Sequence, residues 1–128
     1  MKRRSITLFI CILFSTVLFA QQKQISYIEE TKNWYYIYDE SGKKINTLSR
    51  SGFGEIKGWG NDFLVIKRGA YYLICDADGK TLKTLGVQAV GEVVSVSGNT
   101  FTSRLSVWIY TWNKEGKKIH TRGVQSSK

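Results

Sequence analysis

The chain has no proline, one histidine, one methionine and two cysteines among its 128 residues. With no proline and 13% aromatic residues it is no extended or disordered linker, and its corners fall to glycine and short polar side chains. Only Cys75 lies beyond the first twenty residues, so no internal disulfide can form there and packing alone must hold the fold. Cys75 is expected to be buried. One histidine and one cysteine are too few for a zinc site of three or four ligands. Catalysis lacks its usual parts, since the single imidazole, His120, sits between Ile119 and Thr121 on an expected edge strand. A Cys75–His120 dyad is conceivable chemistry, but packing accounts for Cys75. No metal and no cofactor is expected.

Residues 1–20, MKRRSITLFICILFSTVLFA, set three basic residues before an apolar run that ends at Ala20. That is the layout of a signal peptide, with the cut expected between Ala20 and Gln21. The run is shorter than the roughly 20 residues a spanning helix needs, so no membrane span is expected after cleavage. Leu18 is larger than the usual residue three before a cut, which leaves an uncleaved anchor as the alternative. Cys11 follows Ile10 and precedes nine more residues of leader type, the wrong setting for a lipid-bearing cysteine. Residues 21–128 then form one domain, exported to the periplasm or beyond. The formal charge of +9 includes Lys2, Arg3 and Arg4. The remaining basic excess suits weak attraction to anionic surfaces or acidic glycans; nucleic acid is not an expected partner there.

What the chain does have is an internal repeat. YDESGKK (38–44) returns as CDADGKT (75–81) and WNKEGKK (112–118), with Gly42, Gly79 and Gly116 spaced by 37. WYYIYDESGKKINTL (34–48) matches YYLICDADGKTLKTL (71–85), and a third copy starts near Trp108, giving two units and half of another. Within each unit apolar residues alternate with a period of two, and aromatic and β-branched residues dominate. The expected fold is therefore all-β, an antiparallel up-and-down meander of about ten short strands. Strands are expected near 24–29, 33–39, 43–49, 54–59, 63–68, 70–76, 80–86, 90–97, 100–105, 107–113 and 117–122, with no helix. A curled sheet or barrel is expected, closed by pairing the last strand with Gln24 to Glu29; the alternative is a partial propeller that closes by oligomerisation.

The recurring motif predicts a corner. Asp39, Asp76 and Asn113 open a type I turn and bond the backbone two residues on. Gly42, Gly79 and Gly116 take the left-handed position of a G1 bulge. Ser51-Gly52, Gly60-Asn61-Asp62, Lys67-Arg68-Gly69 and Ser97-Gly98-Asn99 predict further corners. A calcium loop at DADG lacks the late bidentate acid that calcium needs. A phosphate loop fails because these glycines open no helix. Lys43, Lys80 and Lys117 would align as a basic stripe on one rim, or serve as solvated edge charges.

Two groups remain as candidate sites. Trp34, Tyr36, Tyr38, Tyr71, Leu73, Trp108, Tyr110 and Trp112 would share one aromatic face, with Trp59 beside them, able to stack on sugars or else to form the core. Glu55 and Glu92 occupy equivalent places, each after a Gly; they read as solvent-side acids at a bulged strand start, or else as a carboxylate pair of the glycosidase kind facing each other across neighbouring units.

FLVIKRGAYYLICDADGKTL (63–82) resembles the WG-type repeats of bacterial exported proteins, and YYIYDESGKK is similar to the YD repeats of large secreted shell proteins. Tyr35-Tyr36, Tyr72-Leu73 and Ile109-Tyr110 stand where Trp-Gly belongs. The resemblance spans 34–122 and implies tandem β-hairpins in an exported binding or scaffold protein, with no catalytic residue carried over. The functional expectation is a noncatalytic binding or structural protein for a glycan, envelope component or protein. Self-assembly through open sheet edges into a homo-oligomer is the alternative, and a small glycoside hydrolase the remote one.

Overall fold

The computed structural model describes residues 23–125. The expected signal peptide lies outside them.

The described chain is all-β: eleven antiparallel strands in three sheets. Sheet I holds β1 (Tyr27–Glu30), β2 (Trp34–Tyr38) and β3 (Lys44–Ser49). Sheet II holds β4 (Glu55–Trp59), β5 (Phe63–Arg68), β6 (Tyr71–Asp76) and β7 (Thr81–Gly86). Sheet III holds β8 (Glu92–Ser97), β9 (Thr100–Leu105), β10 (Trp108–Asn113) and β11 (Lys118–Gly123). Within each sheet every strand pairs with its sequence neighbours, as short connections require. Sheet III repeats sheet II element by element, 37 residues further along.

Closure differs from expectation. Among the described residues no barrel forms, and β11 pairs only with β10 while β1 pairs only with β2, so the last strand does not meet Gln24–Glu29. Helix is also present. One turn each, α1 (Arg50–Phe53) and α2 (Val87–Val90), links one sheet to the next, with α1 standing where Ser51-Gly52 predicted a simple corner. Four residues are too few to show a 3.6-residue period, which hides both turns from sequence reading. Gly54 and Gly91 end them at φ 102° and 85°, each donating its N–H back to the first helical carbonyl. Among the described residues no helix is long and apolar enough to cross a membrane.

The three Asx–Gly corners form as expected. Asp39 Oδ1 accepts the N–H of Ser41 (2.9 Å) and of Lys43 (3.0 Å). Asp76 and Asn113 do the same for residues two and four further on. Gly42, Gly79 and Gly116 sit at φ 84°, 86° and 84°, and the register slips beside each corner as a bulge demands.

The sheets stack in one direction. The front face of sheet I, with Ile28, Tyr35, Ile37 and Leu48, packs on the back face of sheet II, with Leu64, Ile66, Leu73 and Cys75. The front face of sheet II, with Phe63, Val65, Tyr72 and Ile74, packs on Val93, Phe101 and Trp112 of sheet III. FLVI (63–66) is continuous rather than alternating because β5 is covered on both sides, each of its four residues being fully buried.

Two tyrosines at equivalent positions lock the stack. Tyr35 Oη donates to the Gly54 carbonyl at 2.9 Å, and Tyr72 Oη to the Gly91 carbonyl at 2.7 Å. Each bond runs from the front face of one sheet to the glycine that opens the next.

Candidate functional site

Among the described residues, front-to-back stacking leaves two faces without a sheet upon them, the back of sheet I and the front of sheet III. They differ in chemistry.

The back of sheet I is aromatic. Alternation in β1 and β2 puts Tyr27 and Glu29 beside Tyr38 and Tyr36, their direct cross-strand partners, with Trp34 at the end of the row. Tyr27 and Trp34 remain 54% and 44% exposed, a large apolar area for a free surface. The rings are ordered by their neighbours. Tyr27 stacks on Tyr38 with centroids 6.3 Å apart and meets Trp59 edge-on at 6.2 Å. Lys44 Nζ lies 4.4 Å above the Tyr36 ring, a cation–π contact. Tyr38 Oη donates to Glu29 Oε1 at 3.0 Å, and that bond to a carboxylate raises the phenol above its ordinary value. At the Tyr38 end a cleft of about 460 Å³ is lined by Tyr27, Tyr38, Glu29, Asp39 and Glu40, among others. The Ser41 hydroxyl and the Lys43 N–H hold Asp39 below the usual carboxylate range.

The front of sheet III is polar. Ser95, Thr102, Thr111 and His120 lie in register across its four strands, and Glu92, Arg104, Ile109 and Arg122 form the next rank. Of the residues 37 earlier on sheet II, Val65, Ile74, Tyr72 and Leu85 are apolar or aromatic, while Glu55, Lys67 and Lys83 are charged there too.

The predicted single aromatic face is divided among three sheets. Trp34, Tyr36 and Tyr38 stand together on the back of sheet I. Leu73 is buried where sheet I covers sheet II, and Tyr71 is exposed at the margin of that junction. Trp112 is only 6% exposed, stacked on Phe101 at 6.0 Å, with its indole N–H on Ser103 Oγ at 2.9 Å. Tyr110 packs against the same cluster beneath Lys118, whose Nζ is 3.9 Å from its ring, and Trp108 is exposed at the head of β10. Trp59 is half-buried against the first cluster. Lys43, Lys80 and Lys117 are exposed, one at each corner.

Tyr27 and Glu29 escaped the sequence reading because their repeat counterparts, Leu64 and Ile66, carry no aromatic signal. The alternation Tyr27, Ile28, Glu29 was the available clue.

Glu55 and Glu92 open β4 and β8, and Glu92 lines a cleft with Lys57 and Lys67. Glu55 stands opposite Lys67 with Lys57 Nζ 3.7 Å away, and Glu92 stands opposite Arg104. Cys75 lies in the buried middle of sheet II, whose surroundings push its thiol up, and His120 is exposed on the outermost strand of sheet III, so no dyad is assembled. At DADG, Asp76 Oδ1 is occupied by backbone N–H groups and Asp78 pairs with Lys23.

Comparison with known proteins finds no matching family model, no matching curated protein and no matching solved structure.

Proposed function

We propose that this is an exported, noncatalytic binding protein of the tandem-hairpin kind, and that its recognition surface is the back of sheet I. One observation carries the reading: the corresponding faces of sheets II and III are each covered by a neighbouring sheet, while this one holds four aromatic side chains with no sheet of the described residues upon them. Tyrosine and tryptophan are the side chains that anchor protein interfaces, because they supply large rigid area with a polar tip. A face of this geometry receives a β-sheet face twice within the chain, which favours a folded protein as the partner.

A glycan is the second reading, favoured by the cleft at Tyr27 and Tyr38, where rings and carboxylates line a volume of small-ligand size. The test is titration of exported proteins and envelope polysaccharides, followed by calorimetry, against the natural chain and Trp34→Ala/Tyr36→Ala. Binding should weaken at least about tenfold in the double variant. Undiminished binding would overturn the assignment, and a response to polysaccharide alone would select the glycan.

A further inference from the structure

We infer that the partner of this aromatic face is a second copy of the same chain, which lays the front of its sheet III upon the back of sheet I. The inference rests on the binding surface proposed above and names its occupant.

Side-chain type is the first argument. Inside the chain an aromatic back face, that of sheet III with Phe101, Tyr110 and Trp112, is covered by the front of the preceding sheet. Sheet I carries aromatics at the same three positions of its back, Tyr27, Tyr36 and Tyr38. The front of a sheet is therefore the surface this fold already sets upon such a row of rings, and the front left uncovered among the described residues is that of sheet III, with Ile109, Thr111, Thr102 and Thr100. Both faces also keep polar tips, as surfaces that meet water before they meet each other must.

Charge is the second. Arg104, His120 and Arg122 stand with one acid, Glu92, on the front of sheet III, and Glu29, Asp39 and Glu40 stand with Lys43 and Lys44 on or beside the back of sheet I, so each face keeps an excess of one sign. Cations already lie over tyrosine rings at Tyr36 and Tyr110, so an arginine arriving over the exposed rings repeats a contact the fold uses.

Backbone continuity is the third. The Ile25 N–H donates to the Asn61 carbonyl at 2.6 Å, and the Asn61 N–H to the Gly98 carbonyl at 2.8 Å, a relay that passes from sheet to sheet. A partner's Gln24–Ile25 segment would continue it. Sheets II and III also touch along one edge, β4 against β8, where Gly58 admits Val96 so closely that an added Cβ would lie 2.7 Å from it. Sheets that meet at one edge fan about it. Two copies supply six sheets, within the range of roughly four to eight that close radial rings.

The association is front to back, not face to like face, and this makes it testable. Sedimentation of the natural chain should give twice the chain mass. Thr111→Arg, which blocks the front of sheet III, and Tyr36→Asp, which blocks the back of sheet I, should each weaken association at least about tenfold. A one-to-one mixture should regain a heterodimer through the one intact pair of faces. A natural chain that stays monomeric at high concentration overturns the inference, as does a Thr111→Arg variant that remains a dimer. If either variant fails to fold, carbethoxylation of His120 in the natural chain decides the matter: dilution should raise its labelling, and unchanged labelling counts against the interface. A monomer whose binding of another protein or of a glycan still needs Trp34 and Tyr36 would refute only the self-partner. No loss of any binding on changing those residues would refute the recognition surface itself.

Discussion

Tyr72 does more than fill space. Its hydroxyl donates to the Gly91 carbonyl and accepts the Val93 N–H at 3.3 Å, so both backbone groups at the start of β8 are satisfied by one side chain. Removing the hydroxyl leaves a buried acceptor without a partner. Tyr72→Phe should cost about 1–3 kcal/mol in denaturant unfolding, and Tyr35→Phe, which loses one such bond, should cost less. Gly91 is constrained twice, because its φ of 85° disfavours any side chain and a Cβ there would fall within 2.3 Å of the Arg104 carbonyl. Gly91→Ala should lower stability by at least about 2 kcal/mol. Gly42, with the same sign of φ and open space around it, should suffer only the backbone strain, so Gly42→Ala is the control. These roles were partly legible in the sequence. Asp39, Asp76 and Asn113 could be placed because a local hydrogen bond dictates them, whereas the Tyr–Gly bonds span 19 residues and cross between sheets, which no local pattern records.

Among the elements, the three corners share one geometry but not one chemistry, since two are capped by aspartate and the third by asparagine. The Asp39 carboxylate is held below its ordinary range by the Ser41 hydroxyl and by backbone N–H groups. Its folded value is therefore lower than its unfolded one, so its contribution is fully present at neutral pH and is lost as pH falls through the folded value, below about 4. Asp39→Asn should flatten the acid limb of the melting-temperature profile between pH 5 and pH 2 without changing its neutral shape. An identical slope for the two proteins would contradict this origin. The strands themselves were readable because alternation survives in β2, β6 and β10. α1 and α2 were not, since one turn of helix between strands has no period to detect. Sheet boundaries were hidden for a related reason: the repeat was counted from its strongest match at Trp34, while the sheets divide at the weaker stretches around residues 50 and 87.

Over the whole molecule, the core is two apolar layers with sheet II between them. Cys75 sits in the first layer, with no exposed surface and a thiol raised by burial. A thiol reagent should therefore report unfolding as a unit: Cys75 should be inert in native protein and titrate fully in denaturant, with a labelling midpoint that coincides with loss of the β-sheet signal. Labelling well before that midpoint would mean that sheet I separates from sheet II on its own. The sequence disclosed the alternation, the corners and the buried cysteine. It could not disclose that the aromatic rows belong to different junctions, because equivalent positions in a stack are interior or exterior according to what lies beyond them.

The middle sheet has one more consequence, in the order of biosynthesis. A growing chain that has emerged only as far as Gly86 has made sheets I and II, and its Phe63, Val65, Tyr72 and Ile74 have nothing to rest on. Until β8 to β11 follow, that nascent intermediate carries a bare apolar wall, the kind of surface chaperones hold, and the apolar back of the last sheet, with Val93, Phe101 and Trp112, is what finally shields it from the solvent.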